Sequence, residues 1–188
     1  MNTLYPARAR EETRMPLTPE EIIRVLGLKK HPTCGFVAET YRSAHAVPGG
    51  ALPAGFEGPR PLGSVLYFMV TPNAHIALHR IRCDQMYHHY LGSPLEALLL
   101  YPDGTGEKLT TGPDLLSGMR PQLFIPGGTF HITRLQPGGG FALLGTTEWP
   151  GVELPDVELG DPQVLAGQFP RHADDIWAFV RENALPRS

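Results

Sequence analysis

HRIRCDQMYHHYLG, residues 79–92, decides how this chain is read. It opens with a histidine, closes with a glycine and carries two further histidines side by side near its end. Side chains alternate faces along a strand, so its histidines sort by parity. If His79 faces an interior, Ala77 and His75 share that face and Arg80 does not. On the next strand Gln85, Tyr87 and His89 then point inward, and His88 points out.

The neighbouring sequence repeats this texture. SVLYFMV (64–70), HIALHRI (75–81), QMYHHYL (85–91), LEALLLYP (95–102), RPQLFIP (120–126), TFHITRL (129–135) and GFALLGTTEW (140–149) are strand candidates. SP, PDGTGE, GPD, PGG and QPGGG separate them, which is turn chemistry. Short strands at this spacing predict a sandwich or barrel, not βαβ units.

Further out, LTPEEIIRVLG (17–27) is punctuated as a helix. Thr18 caps it, Pro19 occupies its first position, Glu21 completes a capping box and Gly27 stops it. GFVAETYRS (35–43) alternates like a strand, and residues 44–62 are a Pro/Gly-rich loop placed to cover a barrel mouth. ADDIWAFVREN (173–183) is amphipathic and predicts a C-terminal helix. The expected organisation is a polar arm over 1–16, a β domain over 17–160 with its N-terminal helix, and a helical extension over 161–188.

The chain has 188 residues, a formal charge of −3, 21 glycines and 20 prolines. One turn-rich β domain suits these figures. No Lys/Arg stripe points to nucleic acid, and no apolar run reaches the length of a membrane span. The first residues lack the apolar core of a secretory signal. Cys34 and Cys83 are too few for a disulfide framework and are expected to be inert. A cytoplasmic setting follows as the expectation.

The 79–92 stretch resembles the first motif of the cupin superfamily, G-x5-H-x-H-x3–4-E-x6-G. His79 takes the first histidine, Ile81 the second, Gln85 the glutamate and Gly92 the closing glycine. PGGTFH (126–131) resembles the centre of the second motif, with Pro126, Gly128 and His131 in register. A closer resemblance, over roughly residues 18–158, is to a cupin subgroup of unknown function. Its H-P-E-G-G-[YF], R-x-x-x-T-x-I-Y-F-L-L, S-x-x-H-R-x-x-x-D-E-x-W and V-P-A-G-x-W-Q segments appear here as HPTCGF (31–36), RPLGSVLYFMV (60–70), IALHRIRCDQMY (76–87) and IPGGTFH (125–131). Thr33, Cys34, Gln85, Tyr87, Phe130 and His131 depart from that pattern. The resemblance implies a mainly β, antiparallel jelly-roll barrel and a homodimer, with residues 1–16 or 36–43 exchanged between subunits.

The expected site centres on His79, His131, Tyr87 and His89 as catalytic groups. His75, Gln85, Thr133, Phe130 and Tyr67 are expected to line the pocket. A typical metal cupin offers three histidines and a glutamate. Here His79, Gln85 and His131 would be the ligands of a divalent Fe, Ni, Mn or Zn ion, with a neutral amide replacing the carboxylate. The preferred reading needs no cofactor: imidazoles move a proton on a small organic substrate, with Tyr87 as acid, as in isomerases and epimerases. A metal-dependent oxygenase or lyase and a non-catalytic small-molecule binder are the alternatives.

Overall fold

The computed structural model describes residues 17–184. The expected arm at 1–16 lies outside the described residues. Two antiparallel sheets face each other. The larger runs β1 (Lys29–Lys30), β2 (Phe36–Arg42), β5 (Ser64–Val70), β12 (Ala142–Trp149), β7 (Asp84–Gly92) and β10 (Gln122–Ile125) from edge to edge. The smaller runs β13 (Val157–Leu159), β6 (His79–Ile81), β11 (Phe130–Leu135), β8 (Leu95–Leu100) and β9 (Gly106–Thr111). A hairpin of β3 (Ala46–Val47) and β4 (Arg60–Pro61) stands apart. This is a jelly roll, but its sheets do not close, so the expected barrel is an open sandwich.

Strict alternation builds the layers. On β8, Leu95, Ala97 and Leu99 join Phe68, Tyr87, Leu123 and Leu144 between the sheets. Their neighbours Leu98 and Leu100 point the other way, against α2 (Pro162–Gln168) and α3 (Ala173–Ala184). Ile176 and Phe179 of α3 are fully buried there. Each such side chain contributes about 1.5–3 kcal/mol relative to exposure, enough to dock helices this short. α1 (Pro19–Leu26) covers the outer face of the larger sheet through Ile22, against Met69 and Leu143. Its ends are as the sequence predicts: Thr18 and Glu21 form the capping box, and Gly27 closes the helix at φ 66°.

Three differences from the sequence reading have physical causes. Only residues 79–81 of the 75–81 candidate pair in the sheet. Upstream, Ile76 bridges Cys34 and the Ala77 amide donates to the Thr33 carbonyl, so the 31–35 segment takes the hydrogen bonds a strand partner would have taken. β9, GEKLTT, is an edge strand, largely polar, and carries no apolar alternation to reveal it. The 44–62 loop does not cover the space between the sheets. Arg60 pins its end through two hydrogen bonds of 2.7 and 2.8 Å to Asp156, with both side chains buried.

Among the described residues, no helix is long and apolar enough to cross a membrane.

Candidate functional site

The two sheets diverge at one end and leave a cavity of about 330 Å³. β2, β5, β7 and β12 supply one wall, β6 and β13 the other, and the segments 31–34 and 152–154 form its rim. Gly35 is what lets the first of these segments turn over the cavity. Its φ is 67°, and an added Cβ would collide with the Met69 carbonyl oxygen.

His79 projects from β6. Its Nδ1 lies 2.8 Å from the Ala77 carbonyl oxygen. A carbonyl only accepts, so Nδ1 carries the proton and Nε2 carries the lone pair. No described residue hydrogen-bonds that Nε2. Burial lowers the His79 pKa, the Ala77 bond opposes this and His31 reinforces it, so the ring is neutral near pH 7.

His131 pairs with His79 across β11 and β6, and the two rings are 4.3 Å apart between centroids. It lies behind the cavity wall with both nitrogens engaged. Nδ1 donates to the Thr129 carbonyl at 3.3 Å, which makes Nε2 an acceptor for the Tyr87 hydroxyl at 3.0 Å. Burial, then the neighbouring His79, holds its pKa well below the usual imidazole range. Burial likewise raises Tyr87 well above the ordinary phenol value. Tyr87 therefore stays a phenol whose proton points at His131, away from the cavity.

Facing His79 from the larger sheet is a residue the sequence reading missed. Glu148 on β12 is the register partner of Gln85 on β7 and of Ser64 on β5. The carboxyl that the first motif lacks at position 85 thus stands one strand away, on the same inward face. Cross-strand neighbours of this kind have Cβ atoms about 5 Å apart. Ser64 Oγ accepts from the Val152 amide at 3.3 Å and donates to Glu148 Oε2 at 2.5 Å. Burial raises the Glu148 pKa above the ordinary carboxylate range, against the Ser64 hydrogen bond. The sequence did hold a signal: Ala142, Leu144, Thr146 and Glu148 are in one phase, so a charged residue continues a buried row.

Gln85 and Thr146 also line the cavity. Gln85 is 3% exposed, and Thr146 Oγ1 is buried without a hydrogen-bond partner. At the rim, His31 Nδ1 accepts from the Thr33 amide at 3.3 Å, leaving its Nε2–H as a donor. Cys34 lines the cavity too, and burial raises its pKa to about 11. Cys83 is raised to about 12, again by burial. Neither thiol forms a thiolate at neutral pH, so both stay unreactive.

The other expected pocket residues fall outside this lining. His75 lies in a separate groove with Asn183 and Lys30, because the strand ends before it. His89 keeps the inward parity, but its Nε2–H donates to the Ser93 carbonyl at 3.1 Å and fastens the next turn. Tyr67 faces outward against Tyr90 and α1. Phe130 also faces outward, beneath the Arg80 guanidinium and among the helix-facing residues. Thr133 is fully buried on the inner face of β11, away from the cavity.

A divalent ion does not fit these residues. His131 would have to give up Tyr87 to become a ligand, and Gln85 is neutral. Among the described residues, no three histidine, cysteine, aspartate or glutamate side chains are placed to hold an ion.

The fold and the cavity define a jelly-roll domain with an open-mouthed pocket between its sheets, largely apolar with a few polar groups. The chain belongs to the Cupin_5 family of the cupin superfamily (DUF985), whose model matches residues 20–160. It is 26% identical over 149 residues to the uncharacterized protein YML079W of Saccharomyces cerevisiae, covering 75% of this chain and 74% of that one. Among solved structures, protein SO0799 from Shewanella oneidensis is 27% identical with a TM-score of 0.74, over 92% of this chain and 100% of that one. A hypothetical protein from Leishmania major has a TM-score of 0.77 at 24% identity, over 87% of this chain and 98% of that one, a likeness of fold alone.

Proposed function

We propose that the protein is an enzyme of the isomerase or epimerase kind, moving a proton on a small organic molecule held between His79 and Glu148. The observation that carries this reading is their opposition across one cavity. A neutral imidazole with an open lone pair stands on one sheet, and a carboxyl with a raised pKa stands on the other. Paired groups whose surroundings suit one to accept and the other to donate are the usual basis of acid–base chemistry near neutral pH.

The step balances without a cofactor. His79 Nε2 takes the proton of a C–H beside a carbonyl. The C–H electron pair becomes the C=C of an enol, and the carbonyl oxygen receives the Glu148 proton. His79 then returns its proton to the neighbouring carbon of an enediol, or to the opposite face of the same carbon once the enol has turned over, while Glu148 takes back a hydroxyl proton as the new carbonyl forms; this completes an isomerisation or epimerisation and resets both groups. Tyr87 and His131 are positioning residues: their hydrogen bond fixes the wall against which His79 packs.

The test is exchange from solvent. A panel of α-hydroxyketones, aldoses and β-dicarbonyl compounds is incubated with the protein in D2O, and loss of the acidic C–H signal is followed by proton NMR. His79→Ala should slow exchange at least about a hundredfold, the usual contribution of a positioned base. Wild-type exchange rates in His79→Ala would refute the assignment. Compounds that bind the cavity yet never exchange would reduce the protein to a binder.

A further inference from the structure

The charged groups around the cavity say what sort of molecule enters it. Among the described residues, its lining contains one guanidinium, Arg42, two carboxylates at the rim, Glu39 and Glu153, and the deeper Glu148 carboxyl that serves as proton donor. Arg42 is already committed. Its Nε and one terminal nitrogen hold Glu39 at 3.0 and 2.7 Å, and the other terminal nitrogen holds Glu153 at 2.9 Å. The same guanidinium also donates to the Val152 carbonyl at 3.3 Å. The two lining imidazoles, His31 and His79, are both lowered by burial and carry no charge near pH 7.

An anion entering here would lose water and find no free cation among the described residues, and a buried charge without a partner is strongly disfavoured. It would also meet an excess of carboxylates at the rim. The inner surface instead offers neutral hydrogen-bonding groups: the Gln85 amide, the unpartnered Thr146 hydroxyl, and the His31 and His79 rings. Phe68, Leu66 and Val157 supply apolar surface beside them. At about 30 Å³ per water molecule, a 330 Å³ space holds the equivalent of about eleven waters.

Resting on the proton-transfer reading of this site, we propose that its substrate is an uncharged carbonyl- or hydroxyl-bearing molecule of about ten non-hydrogen atoms, and that carboxylates and phosphates are excluded. Selection against anions is built into the rim by the two glutamates that occupy Arg42.

Matched pairs such as 3-phenylpropanamide and 3-phenylpropanoate test this, with affinity read from NMR titration of the Gln85 side-chain amide and the His79 ring. The amide should bind at least about tenfold more tightly than the carboxylate, the scale of one uncompensated interaction. In the double variant Glu39→Gln/Glu153→Gln, the freed Arg42 should tighten carboxylate binding about three- to fivefold, the range of an exposed ion pair, while amide binding stays put. Equal or tighter binding of the carboxylate by the wild type would overturn the charge selection and leave the proton-transfer reading standing. Failure of every pair to move either resonance would remove the cavity as a ligand site, and both proposals with it.

Discussion

Tyr87→Phe removes one oxygen and leaves the ring that packs against Phe68, 4.7 Å away between centroids. The loss falls on His131. That ring is 0% exposed, and among the described residues its Nε2 accepts only from Tyr87, at 3.0 Å. Its tautomer is fixed by Thr129, so Nε2 cannot become a donor, and no water reaches it from bulk. An unsatisfied buried acceptor costs about 1–3 kcal/mol. For a chain of this length each kcal/mol corresponds to a melting shift of about 2–4 °C. The measurement is urea denaturation of Tyr87→Phe, His131→Leu and the double variant at pH 7.5. Removing both partners strands neither of them, and the Thr129 carbonyl loses its His131 donor equally in His131→Leu alone, so the double variant should be more stable than the sum of the single changes by about 1 kcal/mol or more. Additive effects, or a Tyr87→Phe variant within about 0.5 kcal/mol of wild type, would show that the hydrogen bond does not hold this wall together.

Glu148→Gln should raise stability at neutral pH. Because the folded pKa of Glu148 is raised, the wild type loses stability as pH climbs from the ordinary carboxylate range through that folded value. The variant should lack this decline, so its advantage in melting temperature grows between pH 4 and pH 8. On the acid side both proteins should weaken together, since His79 and His131 have lowered folded pKa values and their protonation below about pH 6.5 favours the unfolded chain. Equal pH profiles for variant and wild type would place Glu148 in water. Asp156→Asn removes the counter-charge of the Arg60 guanidinium, whose side chain is 4% exposed and keeps only neutral acceptors such as the Glu57 and Pro59 carbonyls, and should cost about 3–5 kcal/mol in chemical denaturation. A loss under about 1 kcal/mol would mean that water already shares this pair.

Parity carried most of what the sequence disclosed. The strand at 84–92 is long enough for alternation to sort its side chains, so Gln85 and Tyr87 were legible as inward once the motif resemblance placed His79 on the same face. Parity loses its meaning where a strand stops or pairing changes. His75 shares the parity of His79 but belongs to a segment bonded to the 31–35 turn. Phe130 and Tyr67 were placed in the pocket by resemblance to motif positions, although their own parity sends them outward. His131 illustrates a different limit. Its position was legible, but its hydrogen bond to Tyr87 depends on two strands 44 positions apart. Glu148 continues the buried phase of Ala142, Leu144 and Thr146, which marks it as inward, but only the register with Gln85 puts it at the cavity. His31 and Cys34 reach the cavity through a turn, where alternation offers no guidance.

The base itself can be observed without a substrate. Long-range proton–nitrogen NMR of the His79 ring, recorded from pH 5.5 to 8, reports which nitrogen bears hydrogen. A neutral ring protonated only at Nδ1, with a bare Nε2 whose resonance moves when an uncharged ligand fills the cavity, is the predicted result. An imidazolium at pH 7, or a ring protonated at Nε2, would contradict it.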